Sequence, residues 1–380
     1  MAPQNSLTLR LLERVADVPA ADWDALRDPD DGPFTRHAWL STLEEAGCIE
    51  PKRGWKASHL TLWRGKKLVA AAPAYLKGNS EGEFVFDHSW ARAASQAGID
   101  YYPKLIVAVP FTPATGARLL AAPGPEREAL RTALAVGARQ AAEELGLSGA
   151  HVLFARRDEL GALEAAGLAP RYGVQFHWSN RGYRSYDDFL ATFNAKRRHQ
   201  LKRERRESLA SGLRYETLRG PALGPEARRA MLRFYHQTAD RYYPWTRRYL
   251  TDRFFELIYE RMPESVEVVL ASDGDRPIAG AFNVAGGGRL FGRYWGSDEA
   301  RPFLHFHVCY YHSIADCIER GLAVFEPGAG GEHKLPRGFE PTLTYSAHAL
   351  CDPRLDAAVR RHLEGERKAV QEAVERGEEE

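Results

Sequence analysis

Two stretches of clustered and alternating apolar residues indicate antiparallel β-ribbons. Residues 59–78, HLTLWRGKKLVAAAPAYLKG, place two apolar runs on either side of Arg64-Gly65-Lys66. Residues 266–296 repeat this arrangement, with turns at Asp273-Gly274 and at 286–288. Apolar runs separated by short turns that contain glycine are typical of β-hairpins. The pattern therefore predicts one ribbon in each half of the chain.

Each ribbon is followed by a stretch of helical periodicity and then by a short apolar strand. In the second half, Pro302 stands where the first turn of a helix tolerates proline, and Gly321 stands where a left-handed cap favours glycine. The apolar positions between them keep the spacing of one helix face. The predicted helices are 128–146 and 302–320, and the predicted strands are 149–155 and 322–328.

The two halves also close alike. GLAPRYGVQFHW (167–178) and GFEPTLTYSAHAL (338–350) both place glycine and proline before a β-rich run that contains histidine. The repeated order predicts an internal duplication of about 150 residues. A ribbon, a helix and a strand that share one mixed sheet give an α+β fold.

Residues 186–212, between the halves, have the periodicity of one long helix that ends at Gly212. Within 194–206, Glu204 is the only acidic residue among seven cations. These cations are Lys196, Arg197, Arg198, Lys202, Arg203, Arg205 and Arg206. They form the strongest basic patch of the sequence. A further helix is predicted from Asp352, where Asp-Pro is a favourable helix start.

Composition restricts the class of protein. The 380 residues are 44% hydrophobic, enough for two or three domains, and 52 Lys and Arg balance 51 Asp and Glu. Any attraction to nucleic acid or membrane must therefore come from a local patch. The four cysteines form no C-x-x-C pair, which argues against a zinc ribbon and against a disulfide-stapled secreted domain. No apolar run is long enough for a signal sequence or a membrane span, so we expect a cytoplasmic protein.

The segment FEPGAGGEHKLPRGFEP (325–341) has a glycine-rich run followed by Lys334. A Walker loop needs glycine directly before the lysine and serine or threonine directly after it, whereas His333 and Leu335 occupy these places. The segment is therefore not an ordinary nucleoside-triphosphate site. Its glycines either allow positive φ in a tight connection, or bring backbone N–H groups and Lys334 to an anionic or carbonyl group.

Longer motifs indicate a family. The central segment SYDDFL…KRRHQLKRERR, the duplicated ribbon-helix-strand unit and the helix that leads to a glycine-rich strand end resemble the Fem family. Members of that family are tandem GNAT-like acyltransferases that move amino acids from aminoacyl-tRNA onto peptidoglycan precursors. The segments 84–120, 282–296 and 325–348 look more specifically like a Fem-like bacterial family labelled peptidoglycan biosynthesis or recognition. The resemblance covers nearly the whole chain.

The resemblance implies two tandem GNAT-like domains, each a mixed, mostly antiparallel sheet flanked by helices. We place these domains at 1–184 and 185–351, followed by a helical tail at 352–380. It also implies an acyltransferase that forms an amide bond on an amine acceptor, with aminoacyl-tRNA as donor.

The Q/R-x-x-G-x-G/A signature by which GNAT enzymes bind coenzyme A is missing from the sequence. RYWGSDEARPF (293–303) stands in the analogous place with a single glycine. This difference weakens acyl-coenzyme A as the donor. We expect no tightly bound cofactor.

Acyl transfer to an amine needs a base for the amine proton and donors for the tetrahedral oxyanion. The glycine-rich loop follows a predicted strand end, where such groups converge. Its counterpart in the first half, FARRDELGAL (154–163), lacks these glycines, so we expect one active site per chain. The predicted catalytic residues are Glu326, Glu332, His333, Lys334 and His305.

Three histidines of the predicted helix 302–320 raise the question of a metal site. His305 and His312 are seven residues apart and share a helix face, whereas His307 is turned away from His305. No third ligand is evident in the pattern. We therefore predict no metal site.

Several polar and aromatic residues fall in segments without periodicity. DHSWA (87–91), GIDYYPKL (98–105) and PFTPATGAR (110–118) are predicted loops, which either line a cleft or form stacked structural connections. Three residues of the second half's central strand are expected to face the same cleft. The predicted substrate-binding residues are Asp87, His88, Trp90, Asp100, Tyr101, Tyr102, Lys104, Phe111, Thr112, Arg293, Tyr294, Trp295, Gly328, Gly330 and Arg337.

The basic helix has two interpretations. Cations along one helix contact the phosphates of tRNA and make binding salt-sensitive, whereas a charged, solvated face needs no ligand. The resemblance favours tRNA. The predicted nucleic-acid-binding residues are Arg197, Arg198, Lys202, Arg203 and Arg206.

Three functional hypotheses follow from the sequence. The first is an aminoacyl or acyl transferase whose donor is carried by tRNA. The second is an acyl-coenzyme A-dependent N-acyltransferase. The third is a non-catalytic protein that binds cell-wall peptide or nucleic acid. The sequence leaves the amine acceptor and the oligomeric state open.

Overall fold

The computed structural model describes residues 6–243 and 247–377, without the side chain of Glu332. Two compact units divide the chain. The first contains the residues up to Val174 together with those from Leu343 onward, and the second runs from Gln175 to Thr342. The domain boundaries predicted from the sequence, at 184/185 and 351/352, stay a prediction.

The strands of the first 179 residues include the predicted ribbon. They are β1 (Leu7–Leu12), β2 (Trp55–Ala57), β3 (His59–Arg64), β4 (Lys67–Ala72), β5 (Ala74–Lys77), β6 (Lys104–Val107), β7 (Leu120–Ala121), β8 (Gly149–Ala155) and β9 (Ala169–Ser179). β3 and β4 pair antiparallel and are joined at Arg64 and Lys67, which confirms the ribbon at 59–78. β8 confirms the strand predicted at 149–155.

The helices of this stretch are α1 (Ala20–Asp24), α2 (His37–Glu45), α3 (His88–Gln96), α4 (Arg127–Glu144) and α5 (Leu160–Ala165). α4 confirms the helix predicted at 128–146. It packs on the sheets of the first unit, since Leu134 and Ala138 share one core cluster with Val69 and Val152. The loop predicted at DHSWA is wrong, because a helix begins at His88. Three alanines in HSWARAASQ favour helix strongly enough to extend it through the polar residues.

The second unit continues with helices and a three-stranded ribbon. Its elements are α6 (Tyr186–Ala191), α7 (Ala195–Ala210), β10 (Arg214–Arg219), α8 (Pro225–Arg241), α9 (Asp252–Arg261), β11 (Val266–Asp273), β12 (Arg276–Gly286), β13 (Arg289–Ser297), α10 (Leu304–Phe306), α11 (His312–Arg320) and β14 (Val324–Glu326). β11 to β13 pair antiparallel in sequence order, which confirms the second predicted ribbon.

The single helix predicted at 186–212 is wrong in one respect, because the helix is interrupted between α6 and α7. Asn194 has extended backbone, and its side chain accepts a hydrogen bond from the Arg197 N–H at 2.9 Å. Ser185 caps α6 in the same way. Serine and asparagine are strong N-cap residues, so each starts its own helix.

The helix predicted at 302–320 begins two residues late. Phe303 has a left-handed φ of 57°, so α10 starts at Leu304 and not at Pro302. A π-helical turn, His307–Tyr311, separates α10 from α11. π turns insert a residue into the helical ladder and are frequent at functional sites. Gly321 caps α11 with a φ of 66°, as predicted.

β15 (Glu340–Leu350) and α12 (Pro353–Arg376) complete the chain. In the first unit the strand orders are β1-β3-β4-β7 and β2-β5-β6-β8-β15, and in the second unit the order is β10-β11-β12-β13-β14-β9. Along the chain, the order strand, two helices, ribbon, helix, strand, short helical turn and long strand occurs twice, from β1 to β9 and from β10 to β15, with α3, β6 and β7 inserted in the first copy. This order agrees with the predicted duplication and confirms the α+β class, with mostly antiparallel sheets flanked by helices.

Arginine side chains fasten α12 to the first unit. Arg360 and Arg367 donate to the carbonyls of Gly167 and Pro170 at 2.6 and 2.7 Å. Arg171 makes a two-pronged ion pair with Glu366 at 2.8 and 2.9 Å. Asp352 caps the helix by accepting from two backbone N–H groups, as the Asp-Pro start predicts.

Two buried histidines make the stability of the first unit pH-dependent. His151 and His348 face each other on β8 and β15, with their Nδ1 atoms 2.9 Å apart. Burial lowers the pKa of His151 to about 3 and lowers that of His348 as well. The unfolded chain therefore binds protons before the folded protein does. Stability is fully present above the ordinary pKa of about 6.5 and is lost as pH falls from there.

We expect the free energy of unfolding to fall by about 1.4 kcal/mol for each such histidine and pH unit below 6.5. Urea unfolding at pH 7.5 and 5.5 measures this slope. The double variant His151→Gln/His348→Gln should have a smaller slope, because its side chains do not titrate. His362→Gln, at an exposed position of α12, is the control. An unchanged slope in the double variant would contradict the assignment.

Candidate active site

The glycine-rich loop leaves the sheet of the second unit where a parallel strand pair ends. β13 and β14 pair in parallel from Arg289–Val324 to Phe291–Glu326. β14 stops at Glu326, whereas β13 continues to Ser297. After Phe291, β13 therefore no longer pairs with β14. The loop that starts at Pro327 passes over β13 just beyond the last paired residue.

A β-bulge lies at the same level. The register between β12 and β13 shifts between Phe282 and Asn283, which face Tyr294 and Gly292. β13 thus holds one more residue than β12 here, Arg293, and bulges re-aim the side chains around them. A Cβ atom at Gly292 would lie 3.2 Å from the Cα of Pro327, so glycine lets the loop approach the strand closely.

Lys334 holds the glycine-rich loop folded. It is buried, and its Nζ donates to the carbonyl of Gly328 at 2.6 Å. Gly328, Gly330 and Gly331 have φ values of 93°, 71° and 112°, which side chains rarely adopt. These glycines therefore do allow positive φ in a tight connection, the first of the two roles considered for them. The same folding brings the Lys334 ammonium close enough to lower the pKa values of nearby histidines.

Glu326, at the end of β14, is a buried carboxylate beside this loop. Its Oε1 accepts a hydrogen bond from Arg289 at 2.8 Å. Its Oε2 lies 3.7 Å from His177 Nε2 and makes no hydrogen bond within the described residues. Burial lowers the pKa of His177. Buried acceptors normally have a donor, so this oxygen is available to a ligand N–H group.

His305 is half-buried in an aromatic surround. Its ring centre lies 4.4 Å from that of Trp295 and 5.3 Å from that of Tyr310. Burial, then the charges of His333, Arg337 and Lys334, lower its pKa to about 4. The imidazole is neutral near pH 7. Within residues 6–243 and 247–377 no group hydrogen-bonds to its ring nitrogens, so its lone pair is available.

His333 forms a pair with Tyr310 next to His305. Tyr310 Oη lies 2.8 Å from His333 Nε2, and the His333 ring centre is 5.9 Å from that of His305. Burial, Lys334 and Arg337 lower the pKa of His333. Arg337 donates to the His333 carbonyl at 2.7 Å. The structure thus brings His305, His333 and Lys334 together, whereas Glu326 lies at the end of the strand that precedes the same loop. The side chain of Glu332 lies outside the described residues.

Three of the predicted substrate-binding residues of the first unit, Asp87, Tyr101 and Lys104, belong to a buried ion network. Lys104 is 1% exposed and donates to Glu83 at 2.8 Å, to Ser80 at 3.1 Å and to Asp87. Tyr101 donates to Asp87 at 2.7 Å. All three protons of the Lys104 ammonium are used within the protein, so none is left for a substrate in this conformation.

Electrostatics differ between the two carboxylates of this network. Burial raises the pKa of Glu83 to about 7 against the opposing charge of Lys104. Burial also acts on Asp87, but the charge and hydrogen bond of Lys104 outweigh it and lower the pKa to about 2. Lys77, whose Nζ lies 3.9 Å from the ring centre of Trp55, has a pKa lowered to about 8 by burial. Glu83 and Lys77 of this network stand in no candidate-site motif that the sequence pattern singles out.

The remaining predicted residues of the first unit divide by exposure. His88 and Asp100 are exposed. Trp90, Phe111 and Thr112 are buried, and Tyr102 is half-buried with its hydroxyl 2.7 Å from Ser80 Oγ. Their assignment to substrate stays a prediction.

The first unit has its own parallel pair, β6 and β8, which ends at Val107–Val152. Here the chain that follows β6 covers the end of β8. The Gly116 N–H donates to the Phe154 carbonyl at 3.1 Å, and Arg118 Nε donates to the Leu153 carbonyl at 2.8 Å. The expectation of one active site per chain stays a prediction.

The basic helix α7 is largely exposed on the second unit. Lys202 and Arg203 have about half of their side-chain surface accessible, and their ion pairs with Asp187 and Glu207 are long, at 3.7 and 3.6 Å. Arg206 is exposed, while Arg197 and Arg198 are half-buried. Exposed pairs of this kind contribute little, so the helix presents net positive charge to solvent.

Two further findings concern metal ligands and membrane-spanning helices among the described residues. No group of three histidine, cysteine or carboxylate side chains among them has the geometry of a metal site. Over the same residues, every helix is too short or too polar to cross a membrane.

The fold resembles those of several solved structures. The crystal structure of FemX matches with a TM-score of 0.53 and 14% identity, over 90% of this chain and 98% of that one. A conserved protein of unknown function from Bacteroides thetaiotaomicron matches with a TM-score of 0.50 and 11% identity, over 90% and 99% of the two chains. A tandem GNAT protein of the clavulanic acid pathway matches with a TM-score of 0.45 and 13% identity, over 92% and 99%.

No curated protein matches the sequence significantly. The model of the FemAB-like family, described as peptidoglycan biosynthesis/recognition, matches residues 14–380. This match covers nearly the whole chain and agrees with the FemX-like fold. The chain belongs to the FemAB-like family.

Proposed function

We propose that this protein is an acyltransferase that forms an amide bond, taking an aminoacyl or acyl group from aminoacyl-tRNA and placing it on an amine of a peptidoglycan precursor. Family membership and the GNAT-like fold support the coarser statement, an acyltransferase of peptidoglycan biosynthesis. The observation that carries the proposal is the state and position of the His305 side chain. It is a neutral imidazole without a hydrogen bond in the described residues, beside the glycine-rich loop at the end of the parallel pair.

The reaction exchanges one bond for another. The amine nitrogen attacks the ester carbonyl carbon, the N–C bond forms, and the C–O bond to the ribose breaks. The amine proton passes to His305 and then to the leaving ribose oxygen. The tetrahedral intermediate carries an ammonium that is a far stronger acid than a free amine, so a weak base suffices.

The loop and its neighbours supply the remaining chemistry. The backbone N–H groups of the glycine-rich loop and the Lys334 charge stabilise the oxyanion. The Oε2 atom of Glu326 accepts an N–H of the incoming amine and thereby satisfies a buried acceptor. The Tyr310–His333 pair lies next to His305 and hydrogen-bonds polar atoms of the acyl ester.

The cations of α7 bind the phosphates of the tRNA. We expect the triple variant Arg197→Gln/Arg198→Gln/Arg203→Gln to abolish the gel shift of charged tRNA at physiological salt. In fluorescence anisotropy, the slope of log Kd against log salt should fall by about two to three, since each lost phosphate contact removes slightly less than one unit.

A matched control removes Arg361, Lys368 and Arg376, three exposed cations of α12. It should leave tRNA affinity within about twofold, because these side chains lie on a different element. Equal binding by wild type and the α7 variant would remove the helix from donor recognition. If acetyl-coenzyme A instead raised the melting temperature at millimolar concentration, the donor would be a thioester.

A further inference from the structure

Glu204, the acidic residue within the run of cations 196–206 of α7, points inward. Glu204 is 2% exposed, whereas Arg203 beside it is on the surface. Its Oε2 accepts hydrogen bonds from the Tyr311 hydroxyl and, at 2.9 Å, from Arg337 Nη2. Gln200 Nε2 donates to Oε1 at 2.8 Å. Burial would raise the pKa of Glu204, but these hydrogen bonds and the charge of Arg337 outweigh it and lower the pKa.

Arg337 connects four groups at once. Besides Glu204, its Nε donates to the Tyr311 hydroxyl at 3.0 Å and its Nη1 donates to the His333 carbonyl at 2.7 Å. The guanidinium carbon lies 3.4 Å from the centre of the Phe306 ring. Only the planar fork of arginine makes such contacts together, since lysine has a single nitrogen. Arg337 therefore fixes the backbone of the turn that carries His333 and Lys334.

A continuous set of hydrogen bonds joins the basic face to this turn. Arg197 Nη1 donates to Gln200 Oε1 at 2.9 Å, and Gln200 donates to Glu204. Glu204 accepts from Arg337, which donates to the His333 carbonyl. One end of the set is a proposed phosphate contact, and the other is the proposed catalytic turn.

We propose that Glu204 and Arg337 are positioning residues for the acyl transfer, holding the turn of His333 and Lys334 in a fixed place relative to the basic helix. This inference rests on the proposed function. A donor held by its phosphates on α7 and by its ester at the turn is then bound by one rigid body. Displacement of reacting groups by about 1 Å costs about 10²-fold in rate, so this link controls kcat and not affinity.

The test uses Glu204→Gln and Arg337→Lys, with Glu207→Gln as the control on an exposed position of the same helix. We expect kcat for transfer from aminoacyl-tRNA to fall at least about tenfold in both variants, while the Kd for tRNA stays within about twofold. Lysine at 337 keeps the charge but loses the geometry, so it should not rescue the rate. Full rescue by lysine would overturn the positioning role.

A second variant guards against simple unfolding. Glu204→Gln/Arg337→Met removes both charges, so no unpaired buried charge remains, and its stability should recover relative to either single variant. Its kcat should stay low, because the His333 carbonyl has lost its donor. A double variant with wild-type kcat would overturn the inference.

A measurement without substrate separates the inference from the proposed function. Amide hydrogen exchange across 332–337 should quicken in Glu204→Gln and Arg337→Lys but not in Glu207→Gln. Unchanged exchange would overturn the positioning role whatever the reaction is. Quickened exchange together with wild-type protein that transfers nothing from any charged tRNA would retain the link and refute the proposed function.

Discussion

Replacing His305 by asparagine is expected to lower kcat for amide formation by about 10²- to 10⁴-fold, the usual contribution of a positioned base. The imidazole packs against Trp295 at a ring-centre distance of 4.4 Å and has a pKa lowered to about 4, chiefly by burial. Asparagine is smaller, keeps a polar group at this position and accepts no proton, so it removes the base. Single-turnover kinetics with charged tRNA measure the loss, and thermal melting checks the fold.

The pH dependence has a defined sign. Because the neutral ring is the active form, the His305 contribution is present above about pH 4 and is lost as pH falls through that value. His362→Asn, at an exposed position of α12, is the control and should retain wild-type kcat. A His305→Asn enzyme within about threefold of wild type would show that another group takes the proton.

Replacing Lys104 by methionine is expected to destabilise the protein by about 3–5 kcal/mol, the usual cost of removing one partner of a buried ion pair. Lys104, Glu83 and Asp87 are all at most 5% exposed. Methionine fills the space of the stem but leaves two buried carboxyl groups without their cation. Urea unfolding measures the difference in the free energy of unfolding.

Lys56→Met is the matched control, because Lys56 is exposed and pairs with Glu13 at 3.1 Å on the surface. It should change stability by less than about 1 kcal/mol. The triple variant Lys104→Met/Glu83→Gln/Asp87→Asn should recover part of the loss, since neither carboxylate is then left without the Lys104 cation. If Lys104→Met were as stable as wild type, the network would be solvated and the predicted substrate contact would regain support.

Periodicity predicted elements well where one face packs on a sheet. The ribbon at 59–78, the helix α4 and the strand β8 follow from apolar spacing and turn residues alone. The predictions from periodicity were wrong where a residue with its own backbone preference interrupted the repeat of apolar positions. Asn194 starts a new helix by capping its N-terminus, and Phe303 interrupts a run that reads as continuous. The alanines of α3 outweighed polar neighbours that indicated a loop.

The glycine-rich loop was the part of the candidate site that the sequence indicated most directly. Glu326, His333 and Lys334 stand in one motif, so all three could be predicted from one glycine-rich segment. Arg289 and Glu204 reach the same region from 37 and 133 residues away from the groups they bind. Their partners depend on strand pairing and helix packing, which no local pattern encodes.

Burial was the property that the sequence hid most completely. Lys104 and Tyr101 look like residues of a polar loop, yet both are at most 4% exposed. Glu83 completes their network from a segment that gave no signal. A lysine among aromatic residues fits an internal ion pair as well as a binding cleft, and only the three-dimensional contacts distinguish the two.

Acyl transfer from tRNA to an amine at the glycine-rich loop of the second unit is measured by single-turnover incubation with a labelled aminoacyl-tRNA and peptidoglycan precursors, followed by mass spectrometry. We expect a precursor heavier by one amide-linked amino acid with wild type, and none with His305→Asn at equal tRNA binding. An unmodified precursor with every charged tRNA, or equal product from His305→Asn, would contradict it.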